Sequence, residues 1–289
     1  MLNPPISLLS DELLDYIVEH VSKLPLKDEN LCNLSLTDRA FTWSCQRNLF
    51  RNLILGSKRE MSKRLKNVKN ILDDRPEFAN QVRTVQLRIS RKENASLFKD
   101  PIITSILQLF AKSPMPPYEL HFAGRHLYPS IIEDPILIVR HFAQSFFPQT
   151  LTVLRLTRYM NVSSSLLLIF PRLREVYLDR VKAADRAYYK YPDSLSSGRE
   201  FPPLEVLNYC HSHSFVQQMI TLTPPTRFNT QMGLWSTLRV LTLTPHEKEG
   251  VGCLQPILDA ACNTLEELYL TSLNEGQCRY SICNNAKWI

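Results

Sequence analysis

A six-residue frame, apolar-x-x-apolar-x-apolar, returns seven times between Val82 and Leu270. Its copies are Val82/Val85/Leu87, Pro117/Leu120/Phe122, Leu151/Leu154/Leu156, Leu173/Val176/Leu178, Leu204/Leu207/Tyr209, Leu238/Leu241/Leu243 and Leu265/Leu268/Leu270. Successive copies start 22 to 35 residues apart, an irregular spacing that stacked strand-plus-helix units tolerate when their loops vary. The last two apolar positions of each frame are two residues apart and so fall on one face of a strand.

The segments between frames carry helix signatures. Asp100-Pro101 sets a capping residue before a proline at the first helical position, ahead of Ile103, Ile106, Leu107 and Phe110. Asp134-Pro135 repeats that start ahead of Val139, Phe142 and Phe146, and Leu254, Ile257, Leu258 and Ala261 form a late stripe. Upstream, Met61, Leu65, Val68 and Leu72 predict an amphipathic helix with a basic outer face of Lys58, Arg59, Lys63, Arg64, Lys66 and Lys69. No aromatic platform or nucleic-acid motif accompanies these cations, so the expectation is a solvated face, and no nucleic acid. The alternation defines an α/β chain. A doubly wound sheet is the competing architecture, and seven recurrences of one leucine frame favour a solenoid.

The first fifth of the chain has a different pattern. Ser10 is placed to cap a helix, with Asp11 and Glu12 at the positive end of its dipole, and Leu13, Leu14, Ile17, Val18 and Val21 line one face. Leu31 and Leu34 begin a second stripe after the connector from Leu24-Pro25 to Asn30. Thr37-Asp38 starts a third, with Phe41, Cys45 and Leu49 on one side and Phe50 closing it. Leu53 to Gly56 reads as a short extended exit. Three helices in so few residues bury little surface, so an apolar face is expected to stay uncovered for a partner.

Leu9 to Leu14, Ser35 to Phe41 and Arg47-Asn48-Leu49-Phe50 together resemble an F-box of the kind found in many fungal proteins. The pattern departs at Ser10, where the family has proline, at Asp38, where it has cysteine, and by one residue fewer between Arg47 and Leu49. The later frames resemble degenerate leucine-rich repeats; the consensus asparagine after the frame is mostly absent, with Asp179 and Asn274 as near misses. These resemblances imply an N-terminal three-helix F-box-like domain over 1–55, a connecting helix over 56–81, an irregular leucine-rich repeat solenoid over 82–273 and an irregular tail over 274–289. The tail holds neither frame nor capping helix, so a shortened chain or an atypical cap is expected there. The implied role is a non-catalytic substrate-recognition subunit of a Skp-cullin-F-box type ubiquitin ligase. Leu9, Leu13, Leu14, Ile17, Leu36 and Phe41 would meet a Skp-type adaptor, and through it a cullin. The alternatives are a repeat scaffold without a ligase role and, more remotely, an α/β enzyme.

The residues alternating with each frame must point away from the core. They are Gln86 and Arg88, Glu119 and His121, Arg155, Glu175, Tyr177 and Asp179, Asn208, Thr242, and Glu267 and Tyr269. Acids and tyrosines gather on the later strands, which makes Glu175, Tyr177, Asp179, Glu267 and Tyr269 the candidate contacts for a basic or aromatic target segment. The polar insertion from Lys182 to Phe201, with Asp185, Arg186, Asp193, Gly198 and Arg199, is expected to be an edge loop.

Signals for chemistry are weak. Gly250-Val251-Gly252 lacks the third glycine of a dinucleotide turn because Gln255 stands there, and no phosphate loop or Gly-x-Ser-x-Gly elbow occurs. In Cys210-His211-Ser212-His213, two histidines at alternate positions would face the same way on a strand, but further ligands are not nearby, so no metal is expected. No cofactor is implied. Seven cysteines without C-x-x-C pairs fit reduced thiols, no apolar run reaches membrane-spanning length, and Met1-Leu2-Asn3-Pro4-Pro5 lacks a secretory layout. Cytoplasmic or nuclear location is the expectation. Asn33, Asn94 and Asn161 then lie in sequons without consequence, and the net charge of +6 is mild for 289 residues.

Overall fold

A computed structural model describes Ile6 and residues 9–56, 59–89, 100–124, 130–131, 149–183, 201–222, 233–244 and 254–270. The Asp134-Pro135 helix start, residues 184–200 of the 182–201 insertion, the Gly250 to Gly252 stretch and the tail after Leu273 lie outside the described residues.

The protein opens with three helices, α1 (Asp11–Val21), α2 (Lys27–Thr37) and α3 (Arg39–Phe50). Ser10 stands at the N-cap of α1 but its hydroxyl bonds no backbone amide. Its carbonyl accepts from Leu13 and Leu14 instead, and its side chain holds the Glu12 carboxylate. The sequence-based cap is thus corrected: the neighbouring acid takes the hydroxyl. Asp38 does cap α3, accepting from Ala40 N at 2.9 Å. Helix α2 starts at Lys27, so the predicted connector to Asn30 is mostly helical. Leu14, Val18, Leu31, Phe41 and Cys45 make a small core of their own, flanked by Ile17, Val21, Leu34, Ala40 and Leu49. Burial pushes the Cys45 thiol up to about 11, so it packs as a neutral apolar group.

Among the described residues nine strands form one parallel sheet. They are β1 (Asn52–Gly56), β2 (Thr84–Ile89), β3 (Glu119–Gly124), β4 (Ser130–Ile131), β5 (Val153–Val162), β6 (Glu175–Ala183), β7 (Val206–Cys210), β8 (Val240–Thr244) and β9 (Glu267–Leu270). Their order is β1-β2-β3-β5-β6-β7-β8-β9, with β4 pairing β5 off this path. The seven frames are therefore successive neighbours in chain order. The segment read as an extended exit is β1, an additional edge strand.

Helices α4 (Arg59–Asp74), α5 (Pro101–Lys112), α6 (His213–Leu222) and α7 (Leu254–Ala261) return the chain between strands. Asp100 accepts from Ile102 N at 2.8 Å, and Ile103, Ile106, Leu107 and Phe110 are buried, as the Asp-Pro start requires. In α4, Leu65 and Leu72 are buried while Lys63, Arg64 and Lys66 are exposed.

One apolar cluster runs from Leu53 to Ala261 and takes in the inward positions of β1 to β3 and β5 to β8. The alternate positions of the strands, such as Gln86, His121, Tyr177, Asn208 and Thr242, are only partly covered. A doubly wound sheet has helices on both faces and near-continuous burial along each strand, and its strand order reverses at a switch point. Among the described residues this sheet shows alternating burial and no reversal: α4 to α7 pack on one face, and the other is open except where α2 and α3 approach its first strands. At β9, Leu265 and Leu268 are only partly buried and Leu270 is 47% exposed, because no further described strand pairs beyond it.

The repetition extends to the backbone. The carbonyl of Arg51 accepts from both Arg83 and Thr84, that of Arg83 from Tyr118 and Glu119, and the same two-amide pattern recurs at Tyr118, Thr152, Arg174, Glu205 and Arg239. A threonine just before the frame bridges units: Thr150, Thr237 and Thr264 each donate to the carbonyl of the preceding frame's first residue, Pro117, Leu204 and Leu238, at 3.2, 3.0 and 2.9 Å. A left-handed residue stands two places after the frame in β5, β6 and β7, at Arg158, Arg180 and His211. The next residue in the last of these, Ser212, is fully buried, donates to Cys210 O at 2.8 Å and accepts from Val181 N at 3.0 Å. It satisfies an inter-strand amide with no asparagine present. Among the described residues, no helix is long and apolar enough to cross a membrane.

Candidate functional site

Two surfaces stand out, one on the helical trio and one on the open sheet face. On the trio the six candidate residues separate. Leu14 (5% exposed) and Phe41 (4%) belong to the core and Ile17 packs against it, so they hold the helices together rather than offer a face. Leu9 (38%), Leu13 (52%) and Leu36 (85%) are exposed. Sequence reasoning missed their companions Ile6, Tyr16, Leu24, Leu26 and Trp43, also exposed. The signal for Tyr16 and Trp43 was available, since each is a large apolar residue off the helix stripe. Together these are eight of the twelve large exposed hydrophobic residues among those described, although the trio is a small part of the protein. Scattered single residues would need no explanation; this concentration does.

The trio is attached to the sheet by aromatic contacts. Phe50 stacks on Phe78 with centroids 4.7 Å apart, and Trp43 lies 6.0 Å from the same ring. Phe78 sits in the 3₁₀ turn Pro76–Gln81 that leads to β2. Beside this junction, Asp15, Glu19, Arg47, Asn48, Arg51, Gln81 and Arg83 line a cavity of about 450 Å³. Burial works against ionisation of Asp15, but hydrogen bonds from Ser44 and Arg47 outweigh it and hold the carboxyl below its ordinary range.

The register aligns the open face in rows. Gln86, His121, Arg155, Tyr177, Asn208, Thr242 and Tyr269 form one row; Thr84, Glu119, Val153, Glu175, Val206, Val240 and Glu267 form the next. Asp179 lies in a third row beside Thr157 and Cys210. Every alternate residue expected to point outward takes its place in these rows.

On the earlier strands these side chains bind one another. Glu119 accepts from Thr84 at 3.0 Å and from Arg155 Nε, and the Arg155 guanidinium lies 3.8 Å from the centroid of the Tyr177 ring. Tyr177 in turn donates to Glu175 Oε2 at 2.9 Å. His121 bonds Thr157 Oγ1 at 3.0 Å; burial, and then the Arg155 charge, keep its pKa below the ordinary histidine value. Desolvation followed by the bond to Glu175 raises the Tyr177 phenol. Glu119, His121 and Arg155, with Lys27, Asp28, Leu49, Phe50, Ile54 and Arg64 among others, line a cleft of about 610 Å³ where α2 and α3 meet the open face. Sequence reasoning found these residues singly but not the network, because its members lie on strands about 35 residues apart, as in the separation of Glu119 and Arg155.

The late-strand candidates divide. Glu175 and Tyr177 are tied into the network through Arg155, and Asp179 faces Arg180 at 3.9 Å. The side chains of Glu267 and Tyr269 hydrogen-bond each other, and no other side-chain bond joins them among the described residues. The two histidines of the Cys210 to His213 stretch are not on a strand: β7 ends at Cys210, His211 is left-handed and His213 opens α6. The expectation that they face one way is thereby corrected, and His213 instead packs edge-on to Tyr209 at 5.6 Å. Among the described residues, no group of three or more His, Cys, Asp or Glu is placed to hold a metal ion.

No protein-family model, curated protein sequence or solved structure matches this chain.

Proposed function

We propose that this chain is a non-catalytic substrate-recognition subunit of a Skp-cullin-F-box type ubiquitin ligase. The helical trio is read as the F-box and the chain-ordered sheet as an irregular leucine-rich repeat solenoid. The observation that carries the reading is the uncovered apolar surface of residues 6–43, with Leu36 85% and Leu13 52% exposed, on the segment whose residues resemble an F-box. Apolar side chains concentrated on a small helical unit are covered favourably by a partner, at about 25 cal/mol per Å². The open face of the sheet, which among the described residues only α2 and α3 approach at its first strands, is the surface for the target. The mechanism is positional: a target held on one part and a ligase held on the other raise the effective concentration of target lysines at the charged enzyme. The chain supplies no acid, base or nucleophile in this scheme.

Capture of a Skp-type adaptor by the full chain tests it. Leu13→Asp with Leu36→Asp places two charges on exposed positions, which should cost the fold within about 0.5 kcal/mol each. The expected result is loss of adaptor capture with an unchanged thermal midpoint. Undiminished capture by the folded double variant overturns the reading and leaves a repeat scaffold as the description.

A further inference from the structure

The arrangement Glu-x-Tyr occurs twice on the open face, at Glu175/Tyr177 on β6 and at Glu267/Tyr269 on β9. In both, the phenol donates to Oε2 of the glutamate two residues earlier. Both pairs occupy the same two rows of the sheet, three strands apart.

They differ in what the two preceding strands place beside them: Arg155 held by Glu119 next to the first pair, Thr242 with Val206 next to the second. Beside Tyr177, at its register position on the preceding strand, stands Arg155, whose guanidinium lies 3.8 Å from the ring centroid. The corresponding residue beside Tyr269 is Thr242, which is short and uncharged. The nearby Arg239 is committed to Glu266 through bonds of 2.9 and 2.7 Å. Glu267 is exposed and has no ion pair among the described residues.

We propose that Glu267 and Tyr269 form a receptor for an arginine side chain of a bound protein segment, which takes the place that Arg155 takes beside Tyr177. A flat guanidinium can lie on the ring while its N–H groups reach the carboxylate; an ammonium makes only a point contact. The phenol-to-carboxylate bond holds Glu267 next to the ring in advance, so little ordering is needed on binding. Charge complementarity supports the choice of a cation, since among the described residues this carboxylate has no ion pair, on a protein whose net charge is +6. The inference rests on reading the open face as the target surface and names the chemistry of the target's contact.

The test uses the full chain with carbon-labelled tyrosine, the Tyr269 ring signal being assigned with Tyr269→Phe. The probes are the peptide acetyl-Gly-Gly-Arg-Gly-Gly-amide and its lysine and citrulline counterparts. The arginine peptide should shift the Tyr269 signal and leave that of Tyr177 in place. The lysine peptide and the Glu267→Gln variant should each weaken the response about fivefold, the size of an exposed cation–ring contact. Thr242→Arg should abolish it by filling the receptor from within. An unmoved Tyr269 signal, an equal response to the lysine or citrulline peptide, or full binding to Thr242→Arg overturns the proposal. So does binding that appears only after Arg279→Ala, since the receptor would then be filled by the chain's own arginine. Adaptor capture reports on the trio whatever this signal does, so failure here is distinct from failure of the ligase reading.

Discussion

Replacing Gly124 by alanine should destabilise the sheet, because the backbone of β5 occupies the space a methyl group needs. A Cβ built on Gly124 lies 2.3 Å from the Arg158 carbonyl oxygen, 3.1 Å from that of Thr157 and 3.2 Å from Arg158 C. An unstrained carbon-to-oxygen contact is about 3.3 Å or more, so the two strands must separate locally by about 1 Å. All three atoms are backbone and cannot swing away. Arg158 has little freedom to yield, since it already stands in the left-handed region at φ 61°, a placement that costs a non-glycine residue about 1 kcal/mol. Overpacking of this kind costs about 1–3 kcal/mol, and weakening one inter-strand hydrogen bond adds about 1 kcal/mol. The expected loss is therefore about 2–4 kcal/mol. Gly233 is the control, for a Cβ there meets nothing within 4 Å, and Gly233→Ala should stay within about 0.5 kcal/mol of the parent. Urea unfolding followed by far-ultraviolet circular dichroism measures both; with a slope of about 3 kcal/mol per molar, the Gly124→Ala midpoint falls by roughly 1 M. A Gly124→Ala chain as stable as Gly233→Ala would refute the strand packing described for β3 and β5.

Two further outcomes are expected. Ser212→Ala leaves the Val181 amide without its acceptor in a fully buried place and should cost about 1–3 kcal/mol in the same assay, with Ser212→Thr cheaper if the methyl fits. The pKa of His121 is lowered in the folded protein by burial and then by the Arg155 charge, so the unfolded chain binds the extra proton more readily. Stability should be full above the unfolded histidine pKa of about 6.5 and fall as the pH drops below it. A His121→Gln chain should show a flatter stability profile between neutral and mildly acidic pH, and an unchanged profile would exclude His121 as its source.

Local pattern determined much of this molecule. The frame Leu151/Leu154/Leu156 and its relatives prescribed which strand residues turn inward, because side chains alternate along an extended chain whatever lies around it. Asp100-Pro101 and Asp38 prescribed helix starts for an equally local reason: a carboxylate can reach the amide two residues on. The outward rows, from Gln86 to Tyr269, followed from the same alternation.

Tertiary structure decided what lies between elements. Leu13 and Leu14 are adjacent on one helix and similar in chemistry, yet one is 52% and the other 5% exposed, since only packing against α2 and α3 selects which part of an apolar stripe is covered. Phe50/Leu53/Leu55 repeats the frame once more ahead of the seven copies, a signal that sequence reasoning missed, and the pairing with β2 is what shows Asn52–Gly56 to be the first strand of the sheet. Register across strands placed Arg155 beside Tyr177 and Thr242 beside Tyr269. No local signal carries that information, because the partners are brought together by how many residues each return through the helical layer consumes, and this determines which glutamate–tyrosine pair has an arginine beside it on the preceding strand.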